Sequence, residues 1–364
     1  MTTTSPLFSP VTIGTLTLPN RIVMAPMTRQ LSPNGVPGPD SATYYARRAR
    51  GGAGLVITEG TTLASSAGPE GAPHFHGAAL EGWAAVVRAV HAEGGRIFPQ
   101  LWHVGAFREP GKEVSLPTSA AGPSGLDGLG ETIAEPMTTA DIDRTVEEYG
   151  RAAADARRLG FDGVELHGAH GFLIDQFLWP HTNRRTDGYG GTSAGRVRFA
   201  AEVVAAVRAA TGPDFPISLR LSQWKMTDFT ARLAETPQDL EELLLPLADA
   251  GVDVFHLSTR RFWLPEFEGS ERTLASWTKK LTGVPVIAVG SVGLAPSDFE
   301  TAFAGQPMEF APVDRAEELV ENGDIDLLAV GRMLISDPEW PAKIRDGRTS
   351  ELQAFDPSAL MALV

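Results

Sequence analysis

The segment Glu165–Phe172 reads ELHGAHGF and carries two histidines, His167 and His170, three residues apart. An imidazole pair can ligate a metal, hold structure together or face a bound molecule, because each ring nitrogen can serve as donor, acceptor or ligand. With His103 and His256 as further candidates, a metal-dependent hydrolase is one reading. The spacing argues against it: HxxH is neither HExxH nor H-x-H, and no Asp stands at an obvious ligand position at a strand end. Three other polar residues sit in short apolar runs of the kind that form strands: Gln100 in RIFPQLW, Glu165 in DGVELH and Arg220 in PISLRLS. Side chains alternate between the faces of a strand. Ile217, Leu219 and Leu221 therefore oppose Ser218, Arg220 and Ser222; Ile97 and Leu101 oppose Phe98, Gln100 and Trp102; Val164 and Leu166 oppose Glu165 and His167. A face packed on helices must be apolar, which turns Gln100, Glu165, His167 and Arg220 inward. A buried arginine and glutamine are costly without partners, so either internal carboxylates answer them or a polar ligand does.

The elements that must position these residues are legible as a repeat. Eight apolar segments have strand length and β-branched content: Arg21–Pro26, Gly54–Glu59, Arg96–Trp102, Asp162–His167, Pro216–Ser222, Val252–Ser258, Val284–Gly290 and Asp326–Arg332. Helical patterns lie between them at Leu80–Gly94, Thr139–Gly160, Ser193–Gly212 and Pro237–Gly251, each stopped by glycine. Strand and helix in alternation read as parallel βα units, and eight units predict a closed (β/α)8 TIM barrel. No linker, charge block or low-complexity tract divides the chain, so residues 1–364 are read as a single domain. Two long loops, at about 104–137 and 258–280, follow the third and sixth strands and fall at the strands' C-terminal face, where barrels keep their chemistry. Gly188–Gly195 has the glycines of a dinucleotide loop but follows the polar stretch His181–Asp187 rather than a strand; it reads as a helix start capped by Thr192 or Ser193.

Composition bounds the partners. The chain has 364 residues, enough for a barrel of about 250 residues with insertions. Lys and Arg number 31 against 45 Asp and Glu, a formal net charge of −14. This argues against general binding to nucleic acid or to an anionic membrane, while leaving room for one basic pocket. No apolar run approaches 18 residues, and MTTTSPLFSPVTIG lacks the features of a signal peptide. Cysteine is absent, which removes disulfides, thiol nucleophiles and cysteine-ligated clusters and suits a cytoplasmic location. A homo-oligomer remains open.

Read in order, NRIVMAPMTR (Asn20–Arg29), PQLWH (99–103), ELHGAHGF (165–172), NRRTDGYGG (183–191), AVGSVG (288–293) and GRMLISDP (331–338) fall at successive strand ends. Here the chain resembles the old yellow enzyme family of FMN-dependent oxidoreductases, from about Leu7 to about Asp346. The resemblance implies one noncovalent FMN, reduced by NADH or NADPH in a ping-pong cycle. It then passes hydride from N5 to the β-carbon of an α,β-unsaturated carbonyl or similar electron-poor alkene. It assigns Pro26, Met27, Thr28, Gly60, Gln100, His167 and Arg220 to the flavin ring, with Thr28 near O4 and Arg220 as the cation that stabilises charge gathering at N1/O2. It places the 5′-phosphate at Gly290, Ser291, Gly331 and Arg332, after the seventh and eighth strands. His167 and His170 would polarise the substrate oxygen, making them, with Thr28, the catalytic residues. Trp102, Phe172, Arg260 and Trp263 are candidate substrate contacts; packing explains Trp102, and a solvated loop explains Arg260 and Trp263, about as well. Larger relatives carry an iron–sulfur cluster and a second nucleotide-binding domain; zero cysteines and the end at Val364 lead us to expect neither.

One residue departs from the family pattern. H-x-x-H-x-Y places a tyrosine acid where this chain has Phe172, which has no proton to give. Water, Tyr44, Tyr189 or a residue of the sixth-strand loop would have to supply the proton. Otherwise the scaffold would favour dehydrogenation, demethylation or double-bond isomerisation.

Overall fold

The computed structural model describes residues 5–66, 68–108, 121–294, 311 and 313–363. A short antiparallel hairpin, β1 (Val11–Ile13) and β2 (Leu16–Leu18), precedes the eight strands of the repeat. These are β3 (Ile22–Met24), β4 (Leu55–Thr62), β5 (Ile97–Trp102), β6 (Val164–His170), β7 (Ile217–Lys225), β8 (Val254–Ser258), β9 (Val286–Val289) and β10 (Leu327–Val330). They pair in parallel and in sequence order, and β10 returns to β3 to close the barrel.

The two faces of each strand go to two different cores. Val23, Leu55, Phe98, Val254, Ile287 and Leu327 fill the barrel's N-terminal half, and Ile13 and Leu18 of the hairpin join them as a plug. Ile97, Leu101, Val164, Leu166, Ile217 and Leu219 face the surrounding helices, as strand parity predicts. The interior is thus apolar below and polar above, which leaves room for chemistry only at the C-terminal mouth.

Several boundaries differ from expectation for a physical reason. Asp162, Asp253 and Asp326, read as strand residues, instead stand just before β6, β8 and β10. Each accepts the backbone N–H of the first residue of the preceding strand: Ile97 (2.9 Å), Ile217 (2.8 Å) and Val286 (3.0 Å). The helices α1 (Pro39–Arg50), α2 (Ala79–Ala92), α3 (Thr139–Leu159), α4 (Leu173–Leu178), α5 (Ser193–Thr211), α6 (Pro237–Asp249) and α7 (Leu274–Thr282) include three that periodicity did not mark. Among them, α7 occupies the end of the expected 258–280 loop, started by a Thr273 side chain that accepts from Ser276 N–H. Thr138 and Asp141 form a capping box at α3, and Thr192 caps α5. Of the 104–137 loop, residues 109–120 lie outside the described residues. Among the described residues no helix is long and apolar enough to cross a membrane.

Candidate active site

The mouth is built on one buried carboxylate. Glu165 on β6 accepts from Gln100 Nε2 of β5 (2.8 Å) and from Ser218 Oγ of β7 (2.9 Å), and it lies 2.7 Å from His256 Nδ1 of β8. Burial raises its pKa, but the His256 imidazole and its hydrogen bond, with the Arg220 guanidinium and Ser218 behind them, outweigh burial and hold it down at about 2. Glu165 therefore stays ionised. By taking the amide nitrogen of Gln100 it also leaves the amide oxygen beside Gly60, its register partner on β4.

Arg220 stands one layer higher, level with His167 and His256 on the neighbouring strands. It donates Nη2 to Ser258 Oγ at 3.3 Å, while Nε is buried with no protein partner. Burial lowers its pKa to about 10, against the pull of Glu165, so the cation persists at neutral pH. The choice left open by the sequence thus resolves unevenly. The carboxylate satisfies Gln100 by a direct bond and Arg220 only through space.

His167 and His170 come together, although residues three apart on a regular strand face opposite ways. The pairing of β6 with β7 shifts between Gly168 and His170, and His170 has a φ of 67°. This turn brings the two rings to 5.3 Å, edge to face. His170 stacks on Trp224 at 4.3 Å. His167 packs edge-on to Phe172 at 4.9 Å and leaves Nδ1 buried without a protein partner. Behind the turn, Asp175 of α4 accepts from Gly171 N–H (2.6 Å) and from Lys225 Nζ (2.7 Å); both side chains of that ion pair are fully buried.

Burial, with Arg220 beside it, drives His167 down to about 3 and His170 well below its ordinary value. Both rings are neutral at physiological pH, and each holds one N–H to donate. The same shift makes stability depend on pH. An unfolded imidazole, with a pKa of about 6.5, takes up a proton that the folded one refuses. The stabilisation is complete above that value and drains away as pH falls toward the folded values. The FMN-saturated protein is expected to lose a few kcal/mol between pH 7 and pH 4. His167→Gln should flatten that slope in thermal melts; parallel curves would refute the assignment.

Trp102, Val104, Phe107 and Phe172 line an apolar wall beside the pair, with Trp102 and Phe172 edge to face at 4.9 Å. Trp102 reaches over Gly60, where a Cβ would stand 2.9 Å from the indole ring. The loop leaving β3 carries Pro26, Met27 and Thr28. Glu59 of β4 pins it by accepting from Arg29 N–H (2.8 Å) and Gln30 N–H (3.1 Å). Gly290 has a φ of 154° and passes so close to Thr259 that a Cβ would lie 2.4 Å from its carbonyl oxygen. A Cβ on Gly331 would meet Met27 Sδ at 2.9 Å, so the end of β10 adjoins the loop after β3, while the end of β9 adjoins the loop after β8. Arg332 begins the short helix Arg332–Ser336, and its pKa is lowered by burial and by the charge of Arg260.

Arg260 belongs to this same corner. Its carbonyl accepts from Ser291 Oγ at 2.9 Å, and its guanidinium lies over Phe229. Trp263 packs edge-on to Phe262 and against the outer core. His103 and His256 are engaged internally, by Gly105 N–H (3.0 Å) and by Glu165. The expected proton donors lie elsewhere: Tyr44 sits under the Arg48 guanidinium on α1, and Tyr189 donates to Glu202 of α5 (2.9 Å). Tyr45 on α1 and Tyr149 on α3 complete the chain's four tyrosines, so none stands beside His167. Ser258, Trp224, Glu59 and the hub role of Glu165 escaped the sequence reading. Parity with His256 was the available signal for Ser258.

Comparison with known proteins decides the family. The model of the NADH:flavin oxidoreductase / NADH oxidase family matches residues 6–351. The chain is 36% identical to NADH oxidase of Thermoanaerobacter brockii over 359 residues, covering 95% of this chain but only 52% of that protein. It is 35% identical to 12-oxophytodienoate reductase 7 of Oryza sativa subsp. japonica over 368 residues, covering 94% and 88% of the two chains. The structure of morphinone reductase in complex with tetrahydroNAD superposes with a TM-score of 0.80 at 32% identity, over 97% of this chain and 93% of that one.

The chain belongs to the old yellow enzyme family.

As a member of the old yellow enzyme family it is an FMN-dependent oxidoreductase that takes hydride from a nicotinamide. This removes the flavin-free hydrolase reading. The residues present fit the cofactor. A buried guanidinium with an unpartnered Nε can meet an electron-rich ring edge, and a primary amide oxygen can accept an imide N–H. The glycine corner flanked by Arg332 and Arg260 suits a phosphate.

Proposed function

We propose that this enzyme reduces the carbon–carbon double bond of α,β-unsaturated carbonyls and similar electron-poor alkenes in the cytoplasm. The observation that carries the reading is the neutral His167–His170 pair, 5.3 Å apart beside an aromatic wall. Bound FMN supplies the hydride, drawn from NADH or NADPH and delivered to the β-carbon.

The chain's own residues supply the rest. His167 and His170 each donate an N–H to the substrate oxygen. Because both are neutral, they stabilise the charge that grows there without surrendering a proton. Trp102 and Phe172 confine the alkene and exclude water from one side, while Arg220, Gln100 and Thr28 orient the ring system and Pro26, Met27 and Gly60 fit against it. Gly290, Ser291, Gly331 and Arg332 anchor the phosphate. Arg260, next to Arg332, extends that anchor, while Trp263 supports the rim.

With Phe172 in the tyrosine position, the α-carbon takes its proton from water at the mouth. The test is anaerobic: FMN-loaded enzyme reduced with NADH or NADPH is mixed with cyclohexenone-type acceptors. Reoxidation of the flavin supports the reading, and failure with every such acceptor sinks it. Phe172→Tyr is expected to raise steady-state reduction of a cyclic enone about tenfold or more, on the scale of general acid catalysis. An unchanged rate constant for flavin reoxidation would show that proton delivery is not limiting.

A further inference from the structure

The last residue of β8, Ser258, joins the cofactor side of the mouth to the substrate side. It is buried, it receives Nη2 of Arg220 at 3.3 Å, and it lies 2.9 Å from Nε2 of His170. A guanidinium has only donors and a serine hydroxyl has one proton. With one Oγ lone pair occupied by Arg220, the hydroxyl proton is available to Nε2. The ring is held in place for that bond. Trp224 stacks on its face at 4.3 Å and donates its indole N–H to the Ser258 carbonyl at 3.1 Å. His170 N–H donates to Ser222 Oγ at 2.9 Å, and that hydroxyl donates in turn to the Trp224 carbonyl at 2.7 Å. The left-handed backbone of His170 is thus fixed at its amide, its ring face and one ring nitrogen.

We propose that Ser258 is a positioning residue whose hydroxyl, held by Arg220, donates to His170 Nε2 and locks the imidazole in the Nδ1–H tautomer. The lock determines which nitrogen of His170 can donate to a substrate oxygen. It also couples that donor to the arginine assigned to the flavin edge. The depressed pKa of His170 agrees, since a neutral ring has a tautomer to choose. The consequence for catalysis rests on the polarising role proposed above; the tautomer itself does not.

The test uses FMN-loaded enzyme labelled with 15N at histidine, with His170→Gln to assign the signals. In the wild-type protein Nε2 of His170 should show the pyridine-type shift and Nδ1 the pyrrole-type shift. Ser258→Ala should move Nε2 toward the pyrrole type and weaken the binding of a phenol, followed by flavin absorbance, about tenfold, the loss expected for one hydrogen bond. Ser258→Thr, which keeps the hydroxyl, should restore both. A pyrrole-type Nε2 in the wild type, or a Ser258→Ala spectrum identical to it, overturns the proposal. If Ser258→Ala does not fold, the wild-type spectrum decides alone. A tautomer that behaves as expected in an enzyme that binds no phenol or enone would leave the lock standing and defeat the substrate assignment instead.

Discussion

Arg220→Ala is expected to slow flavin reduction by NADH or NADPH about 100- to 1000-fold and to weaken FMN binding. Arg220 is buried between His167 and His256 in the register of the barrel, with one hydrogen bond to Ser258 and an unpartnered Nε. Loss of a preorganised charge facing a site of developing negative charge costs about 3–4 kcal/mol in comparable cases, which is the stated rate change. The substitution also takes the Arg220 counter-charge from Glu165, which keeps its hydrogen bonds with His256, Ser218 and Gln100. Removing one member of a buried charge pair destabilises by about 3–5 kcal/mol; the through-space contact here places the loss at the lower end. Two measurements separate these effects. Melting at saturating FMN reports the fold, and anaerobic stopped-flow reduction reports the chemistry. Arg220→Lys should recover much of the reduction rate and little of the FMN affinity, because an ammonium keeps the charge and loses the planar fork. Reduction and FMN titrations of Arg220→Ala that match the unaltered enzyme would refute the placement of the flavin's electron-rich edge at this residue.

The second large effect is the loss of substrate polarisation. His167→Ala combined with His170→Ala should lower kcat/KM for a cyclic enone about 1000-fold, as two donors each remove a share of about 4 kcal/mol of transition-state stabilisation. FMN should remain bound, because Gln100, Arg220 and the Gly290–Arg332 corner are untouched. Reduction by nicotinamide should be impaired less than reoxidation by the enone. Both rings are uncharged in the native state, so the wild-type rate should show no imidazole protonation step between pH 5 and pH 8. A double variant with unaltered phenol titrations, or a wild-type profile that breaks near pH 6.5, would count against the pair.

The residues whose inward facing follows from the sequence lie inside regular strands. Gln100, Glu165 and Arg220 obey the alternation of a straight strand, and the barrel closure supplies an apolar outside that forces the polar face in. His170 does not obey it. From spacing alone it belongs on the other face from His167, and only the shifted pairing after Gly168 and the left-handed backbone bring it round. The family resemblance supplied the pairing; strand geometry did not. Tyr44 and Tyr189 were reasonable proton donors by residue type. Tyr44 lies on α1 and Tyr189 in the turn before α5, positions that follow from packing that no local pattern encodes. For Arg260, a candidate substrate contact or a residue of a solvated loop by sequence, the turn after the sixth strand sets its carbonyl against Ser291 and its charge near Arg332.

Local sequence determined the repeating units, the direction each strand side chain faces and the family motifs at strand ends, because alternation, capping and glycine stops act over a few residues. Only the closed barrel decided which inward groups meet. Glu165 bonds to partners on β5, β7 and β8, residues 53 to 91 positions away in the chain. Ser258 reaches His170 across 88. Such contacts depend on strand register and barrel stagger, which are settled by packing all eight strands at once.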